Sequence, residues 1–296
     1  MKAQKYATSV MVIATIVISL AMLFIPTSHG QNAAGDDRLD VVVTLIPFAD
    51  FVRQVGGDKV NVDVMVPPGA NPHSYEPTPS QMVSLSNTEV YVQVGSGIEF
   101  EIIWMEKMIE QNPEMSLINC STGIDLITSA DPDEPGMDPH VWTSPINAKI
   151  IVQNILDGLI AIDPDNEAYY RSNAESYLAQ LDQLNTYIHN KIDDYTNRHF
   201  LIYHPSFGYF SSEYGVEQIA IEREGKEPTP QVLQNCIDLA KQYDLNYVFI
   251  EPQFIRQYAE TIANAIGAET VTMNDLPEHY ISNMESVADA LSLEFE

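Results

Sequence analysis

The longest regular pattern of apolar and polar positions lies in residues 163–197 and predicts a single long helix. Apolar residues recur there at spacings of three and four and so share one helical face: Tyr170, Ala174, Tyr177, Leu181, Leu184, Ile188, Ile192 and Tyr195. Asp163 and Pro164 predict the start, since a carboxylate can cap free N–H groups and proline suits the first turn. At about 1.5 Å per residue, this helix would be about 50 Å long and would cross a two-lobed molecule.

Short β-branched runs alternate with helical patterns on both sides of this helix. Strands are predicted at 41–46, 60–66, 90–94, 117–120, 200–203, 216–221, 247–250 and 270–273, and helices at 48–55, 100–111, 145–162, 229–243, 256–266 and 281–293. Such alternation implies parallel sheets with right-handed crossovers. We therefore predict an α/β fold with two Rossmann-like βα lobes, 41–162 and 198–296, joined by one rigid backbone helix, 163–197. The alternative is an ordinary long helix inside a single α/β domain.

The first thirty residues predict a secretory signal peptide. Lys2 and Lys5 precede an uncharged apolar run over 10–25, which a short stretch of small and polar residues follows up to Gly30. Cleavage after Gly30 and retention as an N-terminal anchor are the two alternatives, and both place the protein outside the cytoplasm. Residues 31–40 are small and polar, and we interpret them as a flexible tether.

The chain is strongly acidic, with 42 Asp and Glu against 14 Lys and Arg and a net charge of -28. This charge argues against nucleic acid as a partner and is typical of a highly soluble protein. In an exported chain Cys120 and Cys236 could pair, but their spacing does not decide whether they do.

Three of the seven histidines stand next to a proline, namely His73, His140 and His204. Proline restricts the backbone on either side, so each imidazole projects from a loop with few conformations, as a transition-metal site requires. All three are predicted to fall at the carboxyl ends of strands, where open α/β sheets bind ligands. His189 and His199 are predicted to be surface residues.

Five segments carry a specific resemblance to a known family. They are PGANPHSYEP at 68–77, DPHVW at 138–142, HPSFGYF at 204–210, IEREGKEPTP at 221–230 and FIEPQ at 249–253. In this order they resemble the successive motifs of the zinc- and manganese-specific substrate-binding proteins of ABC importers. The resemblance covers nearly the whole mature chain. It implies a monomeric, non-enzymatic protein that holds a metal ion between two lobes and delivers it to a membrane permease with its ATPase.

The resemblance also implies the metal ligands, because the family's first three ligand positions match His73, His140 and His204. Histidine at the third position resembles the zinc branch, whereas manganese proteins usually have glutamate there. Imidazole favours zinc over manganese, so Zn²⁺ is the expected cargo and Mn²⁺ the alternative.

The fourth ligand of the family is often an aspartate seven residues after a glycine. Counting from Gly267 gives Asn274, with Asp275 beside it. We choose Asp275, because a carboxylate would offset the charge of the cation; the Asn274 amide oxygen and water are the alternatives. Glu224 and Glu251 match family positions near the cleft and are interpreted as structural hydrogen-bonding residues. The acidic loop at 131–138 contains no histidine and is interpreted as a solvated loop.

Two other functions remain open at this point. Three histidines and an open position also describe a zinc hydrolase, in which Glu251 could act as a base, but the chain has no His-Glu-x-x-His helix. An adhesion-type member of the family would favour long apolar or repeated surface segments, and the sequence contains none.

Overall fold

The computed structural model describes residues 38–129, 136–222 and 227–296, which form two parallel four-stranded sheets flanked by helices. The first sheet contains β1 (Leu39–Val43), β2 (Val60–Val64), β3 (Val90–Gln93) and β4 (Ser116–Asn119) in the order β2-β1-β3-β4. The second contains β5 (His199–Ile202), β6 (Glu217–Ala220), β7 (Tyr247–Ile250) and β8 (Glu269–Thr272) in the order β6-β5-β7-β8. The predicted fold class is therefore confirmed.

The described residues contain nine α-helices. They are α1 (Ile46–Gly56), α2 (Pro79–Ser84), α3 (Glu99–Gln111), α4 (Pro145–Ile162), α5 (Glu167–Ile192), α6 (Gly208–Tyr214), α7 (Pro230–Gln242), α8 (Arg256–Ile266) and α9 (Tyr280–Phe295). The sequence predicted all of them within about two residues except α2, α5 and α6. Helices α2 and α6 were missed because six or seven residues are too few to show a helical period.

The long helix α5 is shorter than predicted at both ends. A separate 3-10 turn occupies Pro164–Asn166, and α5 then runs from Glu167 to Ile192, which makes it about 39 Å long. The Asp163 carboxylate does not cap the helix; its Oδ2 instead accepts hydrogen bonds from the side chains of Asn166 and Tyr170, each at 2.6 Å. The helical segment thus begins at Pro164 as predicted, but the capping hydrogen bond predicted for the Asp163 carboxylate does not form.

The apolar face of α5 packs as its spacing predicts. Seven of the eight stripe residues are buried: Tyr170, Ala174, Tyr177, Leu181, Leu184, Ile188 and Ile192. This face packs against α1, α4 and α9, and its residues belong to one hydrophobic core that includes parts of both sheets. A second, smaller core lies among the second sheet, α7 and α8. The two halves thus share a continuous core along α5.

Helix α4 is long and apolar enough to cross a membrane by length and composition alone. It nevertheless packs against α1 and α5, and its buried residues belong to the shared core. At Gly158 an added Cβ would overlap the side chain of Ile118 in β4. The glycine therefore permits the close approach of α4 to the first sheet.

Several predictions concern residues at or beyond the edges of the described ranges. The predicted signal peptide, most of the predicted tether, Glu224 and most of the acidic loop lie outside them. Leu39 and Asp40 belong to β1, so the predicted tether extended too far. Cys120 and Cys236 are both buried and form no disulfide. The division into lobes at 41–162, 163–197 and 198–296 stays a prediction.

Candidate metal centre

The imidazoles of His73, His140 and His204 converge on one point. His73 lies in the loop after β2, His140 opens the 3-10 turn before α4, and His204 follows β5. The Nε2 atom of His204 lies 3.1 Å from Nε2 of His73 and 3.1 Å from Nε2 of His140. One donor atom from each of the three histidines lies within 4.8 Å of the other two. His73 and His204 lie beyond strand ends as predicted, whereas His140 is separated from β4 by a long loop.

Each of these imidazoles has a carboxylate at its second ring nitrogen. The Nδ1 atoms lie 2.8 Å from Glu99 in His73, 2.8 Å from Asp138 in His140 and 2.6 Å from Glu222 in His204. We call these the three carboxylate–histidine pairs. The Asp138 and Glu222 contacts are hydrogen bonds, and a carboxylate that accepts a hydrogen bond from Nδ1 fixes the proton there and leaves the Nε2 lone pair free to bind a metal. Three lone pairs that face one another at these distances repel unless a cation lies between them.

Burial favours the neutral form of the His204 ring, because it lowers the pKa. Burial is the largest cause that lowers the pKa of His204, the charges of the other two histidines act in the same direction, and the Glu222 hydrogen bond opposes them. A neutral imidazole can bind a metal without first losing a proton. The ring of Phe254, 5.0 Å away between centroids, covers one side of His204.

The carboxylate of Glu99 is ionised at physiological pH. Burial alone would raise the pKa of Glu99, but the hydrogen bond and charge of His73 outweigh it and lower the pKa to about 2. Glu99 therefore provides a permanent negative charge beside the histidines.

The backbone around the histidines is held by further polar contacts. Asp138 Oδ1 accepts hydrogen bonds from both the backbone N–H and Nδ1 of His140, each at 2.8 Å. The Asn71 side chain accepts the His73 N–H at 2.9 Å in a tight turn. Both carboxylate oxygens of Glu251 lie 3.3 Å from the His204 backbone nitrogen. These contacts restrict the directions in which the rings can point.

Glu251 makes the structural hydrogen bonds that we predicted for it. It is 1% exposed and accepts hydrogen bonds from the His204 backbone and the Ser206 hydroxyl. Burial, followed by the charge of Asp275, raises the pKa of Glu251 well above its usual value. The two acids thus belong to one buried polar cluster on the C-terminal side of the site.

Asp275 is buried but does not belong to the group of donors that the three histidines form. Its Oδ1 accepts a hydrogen bond from Gln253 at 2.9 Å, and its backbone carbonyl accepts the Trp142 indole N–H at 2.7 Å. The neighbouring Asn274 side-chain oxygen accepts the Leu276 N–H at 3.0 Å. Ligation by Asp275 stays a prediction.

Residues from the C-terminal half of the chain contact Asp138, which pairs with His140. The Tyr209 hydroxyl donates to the Asp138 carbonyl at 2.8 Å, and an added Cβ at Gly208 would overlap the Asp138 carboxylate. Gly208 therefore allows α6 to approach the carboxylate that orients His140.

The carboxylate partners are the functional residues that the sequence analysis missed. Asp138 and Glu222 stood inside the quoted motifs, where their position near a histidine was a usable signal. Glu99 gave none, because it is 26 positions from His73 at the start of a different helix. Only the folded chain brings these two together.

Comparisons with known proteins identify the family to which this fold and site belong. Residues 41–293 match the family model "ZnuA: Zinc-uptake complex component A periplasmic". The chain therefore belongs to this family of metal-uptake binding proteins.

Individual relatives agree with this assignment. The chain is 30% identical to the high-affinity zinc uptake system protein ZnuA of Bacillus subtilis, over 90% of this chain and 87% of the relative. It is 29% identical to the manganese-binding lipoprotein MntA of Halalkalibacterium halodurans, over 86% and 85% of the two chains. A crystal structure of ZnuA superposes with a TM-score of 0.84 at 37% identity, covering 88% of this chain and all of that chain. Relatives named for zinc and for manganese thus share this fold.

Proposed function

We propose that this protein captures a Zn²⁺ ion outside the cytoplasm with His73, His140 and His204 and delivers it to an ABC importer. The observation that carries the proposal is the convergence of three Nε2 atoms, each on an imidazole that a carboxylate orients. Two imidazole nitrogens bound to a tetrahedral zinc at about 2.0–2.1 Å would lie about 3.3–3.4 Å apart. The separations of 3.1 Å therefore need little adjustment to accept the ion.

The donor set favours zinc over manganese. All three ligands are imidazoles, and zinc prefers nitrogen donors in a four-coordinate site, whereas manganese prefers carboxylate, carbonyl and water oxygens. The closest carboxylates contact Nδ1 atoms and act through the rings. The name of the Bacillus subtilis relative supports the same cargo.

For the fourth coordination position we propose the carboxylate of Asp275. It is buried within the polar cluster beside the site, and its negative charge would offset that of the cation. Binding would require Oδ1 or Oδ2 to turn toward the histidines, away from the present contact with Gln253. Water is the alternative donor, and Asp275→Asn separates the two because only a bound carboxylate would make this variant lose affinity.

The proposed role is transport, with a membrane permease and its ATPase as partners, and the protein acts as a monomer without catalysis. Membership of the zinc-uptake family supports this role. The competing zinc hydrolase would need a base that can reach a bound water. Glu251 is buried and already accepts hydrogen bonds from the His204 backbone and Ser206, so it is poorly placed for that task.

Metal titration of alanine variants tests the site. Untagged protein stripped of metal should bind one Zn²⁺ ion, and His140→Ala should weaken binding by more than about tenfold, since loss of a direct ligand exceeds the usual effect of its hydrogen-bonding partner. His189→Ala is the matched control, because His189 is 41% exposed on α5 and also pairs with an acid, Asp193. Unchanged zinc affinity in His140→Ala would remove the basis of the proposal.

A further inference from the structure

All three histidines line one cavity, and the Glu99–His73 pair is the most exposed of the three carboxylate–histidine pairs. The cavity has a volume of about 380 Å³, and its lining includes all three histidines and Glu99. Exposed apolar side chains at its rim are Ile102, Leu126 and Met137. An ion that reaches the histidines through this cavity therefore passes a largely apolar rim. In apolar surroundings a charged side chain attracts the ion strongly.

The three pairs differ sharply in exposure. The side chains of His140 and Asp138 are 6% and 4% exposed, and those of His204 and Glu222 are 8% and 4% exposed. The His73 side chain is 19% exposed and that of Glu99 is 32% exposed. Exposure thus falls from Glu99 to His73 and then to the two inner histidines, which is the order in which an ion from solvent would meet them.

The inner histidines are covered on their other sides. Phe254 packs on the ring of His204, and the Trp142 ring lies 5.3 Å from that of His140. Asp138 also lines the cavity, but its side chain and that of Glu222 are each only 4% exposed, and both contact the Nδ1 atom of a histidine. Glu99 is the carboxylate residue of the three pairs whose side chain lines the cavity and is also about one-third exposed, although its Oε2 atom, which faces His73, is buried.

We propose that Glu99 is a transient metal ligand that passes the ion between solvent and the three histidines. This proposal rests on the function proposed above. A Glu99 oxygen first replaces one water of the hydrated Zn²⁺ and releases its contact with His73 Nδ1. The zinc–oxygen bond then breaks as His73 Nε2 binds the ion, and Glu99 returns to Nδ1.

A transient ligand of this kind acts on rates in both directions. The carboxylate stabilises the partly dehydrated ion between solvent and site, which lowers the barrier to binding and to release alike. Its removal should therefore slow both processes and change the dissociation constant less than either rate. A residue that only orients His73 would behave differently, since its loss would accelerate release and leave the binding rate unchanged.

Stopped-flow tryptophan fluorescence measures these rates, because Trp142 lies beside His140. The probe is Zn²⁺ alone for binding and an excess of EDTA for release. Glu99→Gln keeps an oxygen that can accept from His73 Nδ1 but removes the charge. Its binding rate constant should fall about tenfold, and its release rate constant should fall as well. Glu99→Asp keeps the charge and should retain most of the binding rate.

Two control variants separate the proposed role from orientation and from general electrostatic attraction. Glu222→Gln makes the same change at the enclosed Glu222–His204 pair. It should accelerate zinc release, and its binding rate should stay within twofold of the wild-type rate. Glu106→Gln removes an exposed acid from the same helix, α3, and should leave both rates unchanged. A Glu99→Gln variant that binds at the wild-type rate, or that resembles Glu222→Gln, overturns the proposal. Absence of zinc binding in the wild type would instead overturn the underlying function.

Discussion

Glu222 Oε2 lies 2.6 Å from Nδ1 of His204, and both side chains are almost fully enclosed. This contact bears directly on metal selectivity, because His204 is the proposed ligand position at which zinc and manganese proteins of the family are expected to differ. A carboxylate at position 204 would have Glu222 as its immediate neighbour. Two enclosed carboxylates repel unless a cation or a proton lies between them.

We predict that His204→Glu narrows the preference for zinc over manganese, since an oxygen donor replaces an imidazole. The double variant His204→Glu with Glu222→Gln should bind Mn²⁺ more tightly than the single variant, because the repulsion is removed. Competition titrations with both metals give the ratio of the two dissociation constants. A ratio equal to that of the wild type in both variants would show that this position does not set selectivity.

Gly208→Ala should weaken zinc binding although residue 208 touches no metal. The added methyl group overlaps the Asp138 carboxylate, which must then move together with the His140 ring that it orients. Overpacking of this kind costs about 1–3 kcal/mol, so we expect roughly a tenfold or larger loss of affinity. Calorimetric zinc titration measures it. Gly136→Ala is the matched control, since a Cβ there meets no atom of the described residues within 4 Å. Equal losses in both variants would contradict the argument.

Zinc binding should change the overall dimensions of the protein little. Helix α5 contains no glycine or proline from Glu167 to Ile192, and its buried face belongs to a core shared by both sheets. In addition, Asp50 in α1 accepts the backbone N–H of Tyr280 at 2.8 Å and so holds the start of α9. We therefore expect a change in radius of gyration below about 1 Å.

Small-angle scattering and hydrogen exchange of metal-free and zinc-loaded protein test this expectation together. Protection should increase in the loops that carry His73, His204 and Asn274 and in the loop at 131–138. At a thousandfold excess of zinc over the dissociation constant, binding adds about 4 kcal/mol to the free energy of unfolding. A large change in dimensions without added protection in these loops would contradict the rigid role of α5.

Glu294 should make the folded state less stable as the pH rises from about 4.5 to 7. Burial raises the pKa of Glu294 to about 7 from an ordinary value of 4.5, although the backbone N–H groups of Asn246 and Tyr247 oppose the shift. Because the folded-state pKa is the higher one, the stabilising contribution is complete below pH 4.5 and is lost as the pH rises through 7. The unfolded chain ionises first, and this favours unfolding.

Urea unfolding of Glu294→Gln and wild type across this pH range tests the assignment. The stability of the variant relative to the wild type should increase between pH 4.5 and 7 and then stay constant. Glu278→Gln changes an exposed acid before the same helix and should follow the wild type at every pH. A pH-independent difference between Glu294→Gln and the wild type would show that Glu294 does not titrate in this way.

The sequence by itself determined the alternation of strands and helices, the buried face of α5 and the three histidines. These features depend on local rules: side-chain period reports which face of an element is buried, and proline restricts its immediate neighbours. The predicted bounds of α4, β7 and α8 agree with the structure for the same reason. The start of α5 was missed because the side-chain contacts of Asp163 with Asn166 and Tyr170 leave no mark in the apolar period.

Only the tertiary structure decided how the three histidines are oriented and how far each of them is exposed. The three carboxylate partners come from the start of α3, from the loop before His140 and from the residue two positions beyond β6. Glu99 and His73 come from the segments that follow β3 and β2, and these segments leave the first sheet at the same side because its strands are parallel. Which carboxylate pairs with which histidine, and how far each side chain is exposed, depends on how segments remote in sequence come together. No local pattern of residues encodes that arrangement.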